Sequence, residues 1–215
     1  MKTYILAIAF LTLAIASCKK DEPIQCELPT SPSFEMPSTA GSYWIYNCVK
    51  IDSSGVESPM NTVGTVQIIG DTVINNNACI IYTRTNLGVP MQPSFRRDTS
   101  GYIVDQNGYV FYSYLNFTDQ IRTGSTPGLW DWYTKMIDHP TEITVPVGSV
   151  KTIEHQQYFY DAQGGTITQC NQDYVTFGTW YASGVGEMKR TTTYFSAMDA
   201  CSWYLEKRLV EYHIE

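Results

Sequence analysis

Residues 42–52 read SYWIYNCVKID, and this stretch decides the fold prediction because aromatic and aliphatic side chains alternate along it. Successive side chains of a β-strand point to opposite faces of the sheet, so a period of two is typical of a half-buried strand. The run Ser53-Ser54-Gly55 follows directly and ends the strand with residues that favour a turn.

The same pattern recurs at short intervals along the rest of the chain. Runs rich in Val, Ile, Thr, Tyr, Phe and Trp, bounded by Gly, Asn and Asp, are the signature of strands. Asn107-Gly108 predicts a type I′ hairpin turn, and two glycine-containing stretches predict further hairpins. The predicted strands after the first are 65–71, 79–85, 94–98, 102–105, 109–115, 129–137, 142–145, 150–161, 165–170, 174–182, 187–196 and 203–214.

Helical spacing of apolar residues is not sustained over three turns anywhere in the sequence. The last segment, 203–214, is ambiguous, since Leu205, Leu209 and Tyr212 also fit a helix. We therefore predict an all-β fold: an antiparallel meander that forms a strongly curved sheet, a partial barrel or a sandwich, with little helix. A meander of this length must curl or close to protect its edge strands.

The N-terminus has the three regions of a secretory signal: Lys2, an apolar stretch from Tyr4 to Ala16, and small residues before Cys18. The apolar stretch is shorter than the roughly 20 residues that a spanning helix needs. Ile15-Ala16-Ser17-Cys18 resembles the lipobox of bacterial lipoproteins, in which cleavage precedes the cysteine and that residue is acylated. The resemblance implies a signal peptide at 1–17 and a membrane anchor on Cys18.

The residues behind the cysteine carry a second resemblance. Lys20-Asp21-Glu22 is similar to the export signal that sends lipoproteins of Bacteroidota to the outer face of the outer membrane. It implies surface display, with a periplasm-facing anchor as the alternative. Residues 18–38 contain four prolines among Ser and Thr and predict a flexible tether. A single β domain is expected over 39–215.

The bulk composition narrows the class of protein. The formal net charge is −7 and no basic stripe is present, which argues against nucleic acid as a partner. The apolar fraction of 43% is sufficient for a folded core. We expect the membrane, through the lipid anchor, and a glycan or an envelope protein as the partners.

Six cysteines are present, and the acylated one leaves five in an oxidising compartment. The first predicted disulfide joins Cys170 to Cys201, because each lies near a strand end in a stretch interpreted as a hairpin. The second joins Cys48 to Cys79, which leaves Cys26 in the tether as the odd cysteine.

Several short motifs are spread over residues 41–190: GSYWIY (41–46), DTVIN (71–75), RD (97–98) before GY (101–102), VPVG (145–148) and WYASGVGEMKR (180–190). Together they resemble a broad group of secreted bacterial β-domain lipoproteins. The resemblance implies an exported β domain and implies no activity and no catalytic residues.

Motifs for catalysis or for cofactor binding are weak. No Gly-x-Ser-x-Gly elbow occurs, and Ser183-Gly184-Val185-Gly186 is interpreted as a hairpin turn. Glu211, His213 and Glu215 would share one face of a strand, and we interpret this row as a solvated face and not as a metal site. No cofactor, no metal and no catalytic residue is predicted.

The segment around Trp130 and Trp132 is the most informative part of the sequence for function. If it is a strand, both indoles face one side and Tyr133 faces the other. The indoles would form a ligand platform if accessible, or part of the core if buried. The long loop predicted before them favours a binding site at this position.

Three hypotheses follow. The first is a lipid-anchored, non-enzymatic binding or structural module, and the second is a lipocalin-like or open-barrel carrier of an apolar ligand. The third, a hydrolase, lacks any motif. A carrier predicts an apolar cavity of several hundred Å³, whereas a docking module predicts a filled interior and aromatic residues on the outer surface.

Overall fold

The computed structural model describes residues 34–52, 54–86, 89–127, 130–161, 163–165, 168–169, 172–173, 177–193 and 203–215. Within these ranges the chain forms sixteen β-strands and no helix. The predicted all-β class is therefore confirmed, and twelve of the strands form a nearly closed, antiparallel, barrel-like sheet. No helix in the described part of the chain is long and apolar enough to cross a membrane.

The strands follow one another through short turns. Their bounds are β1 (Tyr43–Asp52), β2 (Glu57–Ile74), β3 (Asn77–Asn86), β4 (Val89–Pro90), β5 (Ser94–Thr99), β6 (Tyr102–Asp105), β7 (Val110–Ser113), β8 (Arg122–Thr126), β9 (Trp130–Met136), β10 (Thr141–Val145), β11 (Gly148–Tyr160), β12 (Thr168–Gln169), β13 (Gln172–Asp173), β14 (Phe177–Ala182), β15 (Gly186–Thr193) and β16 (Trp203–His213).

The sheet order is β7-β6-β5-β3-β2-β1-β16-β15-β14-β11-β9-β8, and β7 contacts β9 where the two ends of the sheet approach each other. Strand β4 pairs with β3, β10 pairs with the first half of β11, and β12 and β13 form a separate hairpin. The ambiguous segment 203–214 forms β16, a strand held between β1 and β15. Its neighbours on both sides supply the backbone partners that favour a strand over a helix.

The alternation that predicted β1 is visible in its burial. Trp44 and Tyr46 are 4% and 2% exposed, and both belong to a core cluster with Ile68, Tyr82 and Leu209. The indole Nε1 of Trp44 donates to the carbonyl of Val185, so burial leaves this polar atom paired. Strand β1 therefore joins the two halves of the sheet both by its backbone and by its large side chains.

The turn chemistry differs from the prediction at one hairpin. Only Gly108 has a positive φ in the β6–β7 turn, where the amide of Gly108 donates to the carbonyl of Asp105. A type I′ turn needs positive φ at both central residues, so the type I′ prediction is wrong here. The type I′ signature occurs instead between β2 and β3, where Asn75 and Asn76 have φ of 51° and 63°.

The folded body begins earlier than the predicted residue 39. Phe34 is 7% exposed, and its ring stacks on that of Tyr114 with centroids 5.5 Å apart. The hydroxyl of Tyr82 donates to the carbonyl of Pro37 from inside the sheet. Residues 34–38, assigned to the tether from their proline and serine content, are held on the body because their apolar side chains are buried.

The predicted Cys48–Cys79 disulfide is wrong, since both cysteines are free. Cys48 is paired with Met60 and Cys79 with Thr72, so their partners lie 72 − 60 = 12 residues apart on β2. Twelve residues of strand span roughly 40 Å, far beyond the Cα separation that a disulfide allows. Cys18, Cys26, Cys170 and Cys201 lie outside the described residues, as do Lys20, Asp21 and Glu22.

Candidate functional site: a mixed aromatic and cationic cavity

A cavity of about 330 Å³ lies against the inner face of the sheet, and it is partly open to solvent. Four neighbouring strands, β9, β11, β14 and β15, supply most of its wall, and β7 and β8 contribute one residue each. The lining residues are Phe111, Arg122, Trp130, Trp132, Thr134, His155, Gln157, Phe159, Phe177, Thr179, Tyr181, Arg190, Thr191 and Thr192.

On β9, β11 and β14 the wall is built from alternate residues, which are in register between the strands. His155 lies between Thr179 of β14 and Met136 of β9, and Thr179 is in turn paired with Arg190 of β15. In the next row, Gln157 lies between Phe177 and Thr134. Because side chains two residues apart share a face, the register gathers residues from four strands into one concave surface.

Trp130 and Trp132 both line the cavity, so the strand interpretation predicted correctly that they share one side. Trp132 is paired with Gly124 of β8, where a Cβ atom would lie 2.3 Å from the indole ring. The glycine leaves room for the indole to lie across β8. This arrangement fixes the orientation of Trp132 at the edge of the cavity.

Tyr133 lies on the opposite, outer face, as the alternation predicted. Its ring stacks on those of Tyr158 and Tyr160, with centroids 4.9 Å and 5.4 Å apart. The hydroxyl of Tyr160 donates to that of Tyr133 at 2.8 Å. Aromatic side chains are therefore present on both faces of β9 and β11, and the inner set borders the cavity of about 330 Å³.

Cations from several strands gather beside this cavity. Arg190 and Lys207 both pair with Glu187, with Lys207 Nζ 2.8 Å from one carboxylate oxygen. The guanidinium of Arg96 lies 4.7 Å from the ring centroids of both Tyr82 and Phe111. We call these four residues, Glu187, Arg190, Lys207 and Arg96, the interior charge cluster; it holds three cations and one carboxylate.

The pKa of Glu187 reflects this excess of positive charge. Burial alone would raise it, but Arg190 and Lys207 outweigh burial and hold the pKa at about 2. The pKa of Lys207 is lowered, mainly by burial, with Glu187 opposing the shift. Glu187 is therefore ionised at neutral pH and is the carboxylate that neutralises part of the cluster.

Three polar atoms in the cavity wall have no hydrogen-bond partner among the described residues: Thr134 Oγ1, His155 Nε2 and Arg190 Nε. Thr134 is 3% exposed, so its hydroxyl is not satisfied by bulk solvent. An unpaired buried polar group costs about 1–3 kcal/mol, and such groups call for a partner. These three lining residues therefore have hydrogen-bonding capacity that the described part of the protein does not use.

His155 is neutral in the folded protein at pH 7. Burial lowers its pKa to about 4, and the positive charges of Arg122 and Arg190 act in the same direction. A neutral imidazole can either donate or accept at Nε2, depending on its tautomer. His155 therefore adds to the wall an uncharged polar group that can serve as a hydrogen-bond donor or as an acceptor.

This shift predicts a loss of stability in mild acid. The folded state binds a proton on His155 less readily than the unfolded chain, so stability falls as the pH drops from 6.5 towards 4. Between about pH 7 and pH 5 the residue should lower the free energy of unfolding by about 2 kcal/mol. Urea denaturation of the parent chain and of His155→Gln at both pH values measures this effect. An equal drop in the two proteins would contradict it.

Sequence reasoning placed Trp130 and Trp132 but missed Arg122, Thr134 and Arg190 as members of the site. His155 lies on the cavity side of β11, whereas its neighbour Glu154 lies on the other face. The sequence carries one usable signal for these residues. Trp130, Trp132 and Thr134 are alternate residues of one strand, and His155, Gln157 and Phe159 are alternate residues of another. Among the described residues, no His, Cys, Asp and Glu side chains come together as a set of metal ligands.

Comparison with known proteins gives similarity at the level of structure. No protein family and no curated protein matches the sequence. The crystal structure of a candidate exported protein with a YmcC-like fold from Bacteroides fragilis matches at 10% identity and a TM-score of 0.48, covering 84% of this chain and 99% of the other. A candidate lipoprotein from Parabacteroides distasonis matches at 14% identity and a TM-score of 0.45, covering 84% and 98%.

Proposed function

We propose that this chain is a lipid-anchored envelope protein that binds a small ligand in the cavity of its barrel-like sheet. The observation that carries the proposal is the cavity of about 330 Å³ whose wall includes Trp130, Trp132, Phe159 and Phe177. Concave sites lined by aromatic residues, with a few convergent polar groups, are typical of small-molecule binding.

The cavity supports the carrier hypothesis more than the docking-module hypothesis. A docking module predicted a filled interior, and an apolar carrier predicted an apolar wall. The interior holds a cavity of the size expected for a carrier, but Arg122, His155 and Arg190 are part of its wall. A carrier whose ligand has both an apolar and a polar part fits these observations best.

In this proposal the membrane anchor is an acyl group on Cys18. It is proposed because residues 15–18 resemble a lipobox. Two buried acyl chains suffice for stable attachment to a membrane. We also propose that the physiological partner is a glycan or an envelope protein. The proposed location is the outer face of the outer membrane. Mass spectrometry of the first mature residue tests the anchor independently of ligand binding.

Ligand binding is tested with N-phenyl-1-naphthylamine, a neutral fluorophore whose emission rises in apolar surroundings. The protein is the chain from residue 18 with Cys18→Ser, which carries no lipid. We expect saturable binding, quenching of tryptophan emission, and an affinity reduced about tenfold or more by Gln157→Trp, which fills the cavity.

The matched control is Gln156→Trp on the same strand. Gln156 lies on the outer face, where its side chain bonds with Glu154 and Tyr158. The control should bind the fluorophore as the parent chain does. Undiminished binding by Gln157→Trp would place the site elsewhere and refute the proposal. Circular dichroism checks that both variants retain the sheet.

A further inference from the structure

The charge distribution of the cavity narrows the ligand further, provided that the proposed binding function holds. The chain carries 21 acidic and 14 basic residues, yet no Asp or Glu occurs among the residues that line the cavity. Arg122 and Arg190 do line it. Although the protein has a net negative charge, the permanently charged side chains that line this cavity are all positive.

The carboxylates behind the wall do not neutralise it completely. Glu187 pairs with Arg190 and with Lys207, and Asp105 is the acidic group that acts on Arg122. Arg96, the fourth cation of this region, lies between two aromatic rings and has no ion pair among the described residues. Arg84, which interacts with Arg96, Arg190 and Glu187, is a fifth cation. Two acids thus face five cations, and the net charge around the cavity is positive.

The unpaired polar atoms point to the same kind of ligand. Arg190 uses one terminal nitrogen for Glu187, whereas its Nε has no partner among the described residues. Thr134, which lines the same cavity and is more than nine-tenths buried, has a hydroxyl that is likewise unpaired there. Guanidinium and hydroxyl donors on one concave surface are the groups that bind carboxylates, sulfonates and phosphates.

We propose that the cavity selects an organic anion, with the acidic group held by Arg122, Arg190 and Thr134 and the apolar body packed against the tryptophans. The aromatic wall is formed by Trp130, Trp132 and Phe159. Burial strengthens the attraction, because the charges interact in a medium of lower effective dielectric constant than water. A neutral molecule of the same shape gains only the aromatic contacts.

The test compares two fluorophores that differ only by an acidic group. One is N-phenyl-1-naphthylamine, and the other is 8-anilino-1-naphthalenesulfonate, which has the same ring system with a sulfonate. We expect the sulfonate to bind the parent chain about tenfold more tightly or better. Arg122→Gln should weaken the sulfonate about tenfold and change the neutral fluorophore less than about twofold.

Two further variants keep the outcome clear. Lys151→Gln removes one exposed positive charge from β11 and should change neither affinity. Thr134→Val removes the unpaired hydroxyl at nearly constant volume, so it should keep the fold and still weaken the sulfonate selectively. Because Thr134 carries no charge, a selective effect of this variant identifies a contact and not a change in the overall field.

The outcomes separate this inference from the proposed function. Equal affinities for the two fluorophores, or equal losses of both in Arg122→Gln, would overturn the anion selectivity while leaving ligand binding intact. Absence of binding by either fluorophore would overturn the proposed function and this inference together. A sulfonate preference that Lys151→Gln removes as fully as Arg122→Gln would also overturn it, since general charge would then explain the preference.

Discussion

Replacing Glu187 with glutamine is expected to lower the free energy of unfolding by about 3 kcal/mol, the low end of the range for breaking a buried ion pair, because it leaves the partly buried cations Arg190 and Lys207 without this counter-charge. The carboxylate is only 10% exposed, and it pairs with both cations. The pKa of about 2, against an ordinary value of 4.5, corresponds to roughly 3 kcal/mol of stabilisation of the ionised form. This stabilisation is similar in size to the loss expected for Glu187→Gln.

The direction of the pKa shift determines the pH range in which Glu187 stabilises the fold. Because folding depresses the pKa of Glu187, its stabilisation is present above about pH 4.5 and is lost as the pH falls towards 2. Urea denaturation of Glu187→Gln at neutral pH measures the loss directly. Glu142→Gln on β10 is the control, since this carboxylate is exposed and should change stability by less than about 0.5 kcal/mol. Comparable losses in the two variants would contradict the role assigned to Glu187.

The fold class could be predicted because the determining signal is local. Burial alternates in the first part of β1, where Trp44 and Tyr46 are buried, and the hydrophobic period fixes which face is buried there. Strand β2 was predicted as 65–71 but runs from Glu57 to Ile74. Its first part contains Pro59, which argues against a central strand. Among the described residues that part pairs with β1 and not with β3, since pairing with β3 begins at Thr65, so no described strand needs the missing N–H of the proline.

The interior charge cluster could not be predicted from alternation. Glu187 and Arg190 are three residues apart, so a regular strand would place them on opposite faces. In the pairing of β14 with β15, Tyr181 is opposite Glu187 and Trp180 is opposite Lys189, which leaves Met188 without a partner. This bulge brings Glu187 and Arg190 to the same side. Bulges of this kind depend on the whole sheet and leave no clear mark in the sequence.

The cavity has one feature that follows from local alternation and others that depend on the whole sheet. The shared side of Trp130 and Trp132 follows from their spacing within one strand, which is why it was predicted. The partners of that strand, β8 and β11, are separated from each other by the intervening β9 and β10. Only the sheet order reveals that Arg122, Thr134 and His155 border the same space. Binding sites assembled across strands therefore need the topology, even when each strand is recognisable alone.

Replacing Tyr112 with alanine is expected to lower the free energy of unfolding by about 3–5 kcal/mol, as for other large aromatic residues removed from a core. Tyr112 is 2% exposed, and its ring stacks on that of Tyr181 with centroids 3.8 Å apart. Strand β7 ends one side of the twelve-strand path, whereas β14 lies near the other. The two rings therefore hold together parts of the sheet that share no backbone hydrogen bonds.

The ring and not the hydroxyl should account for this effect. Tyr112→Phe keeps the stacking on Tyr181 and the edge contact with Phe34, whose centroid is 5.8 Å away, and should cost less than about 1.5 kcal/mol. Urea denaturation of both variants gives the comparison. Similar losses in Tyr112→Phe and Tyr112→Ala would show that the hydroxyl matters most and would contradict the stacking explanation. A small loss in both would mean that backbone pairing alone holds the curvature of the sheet.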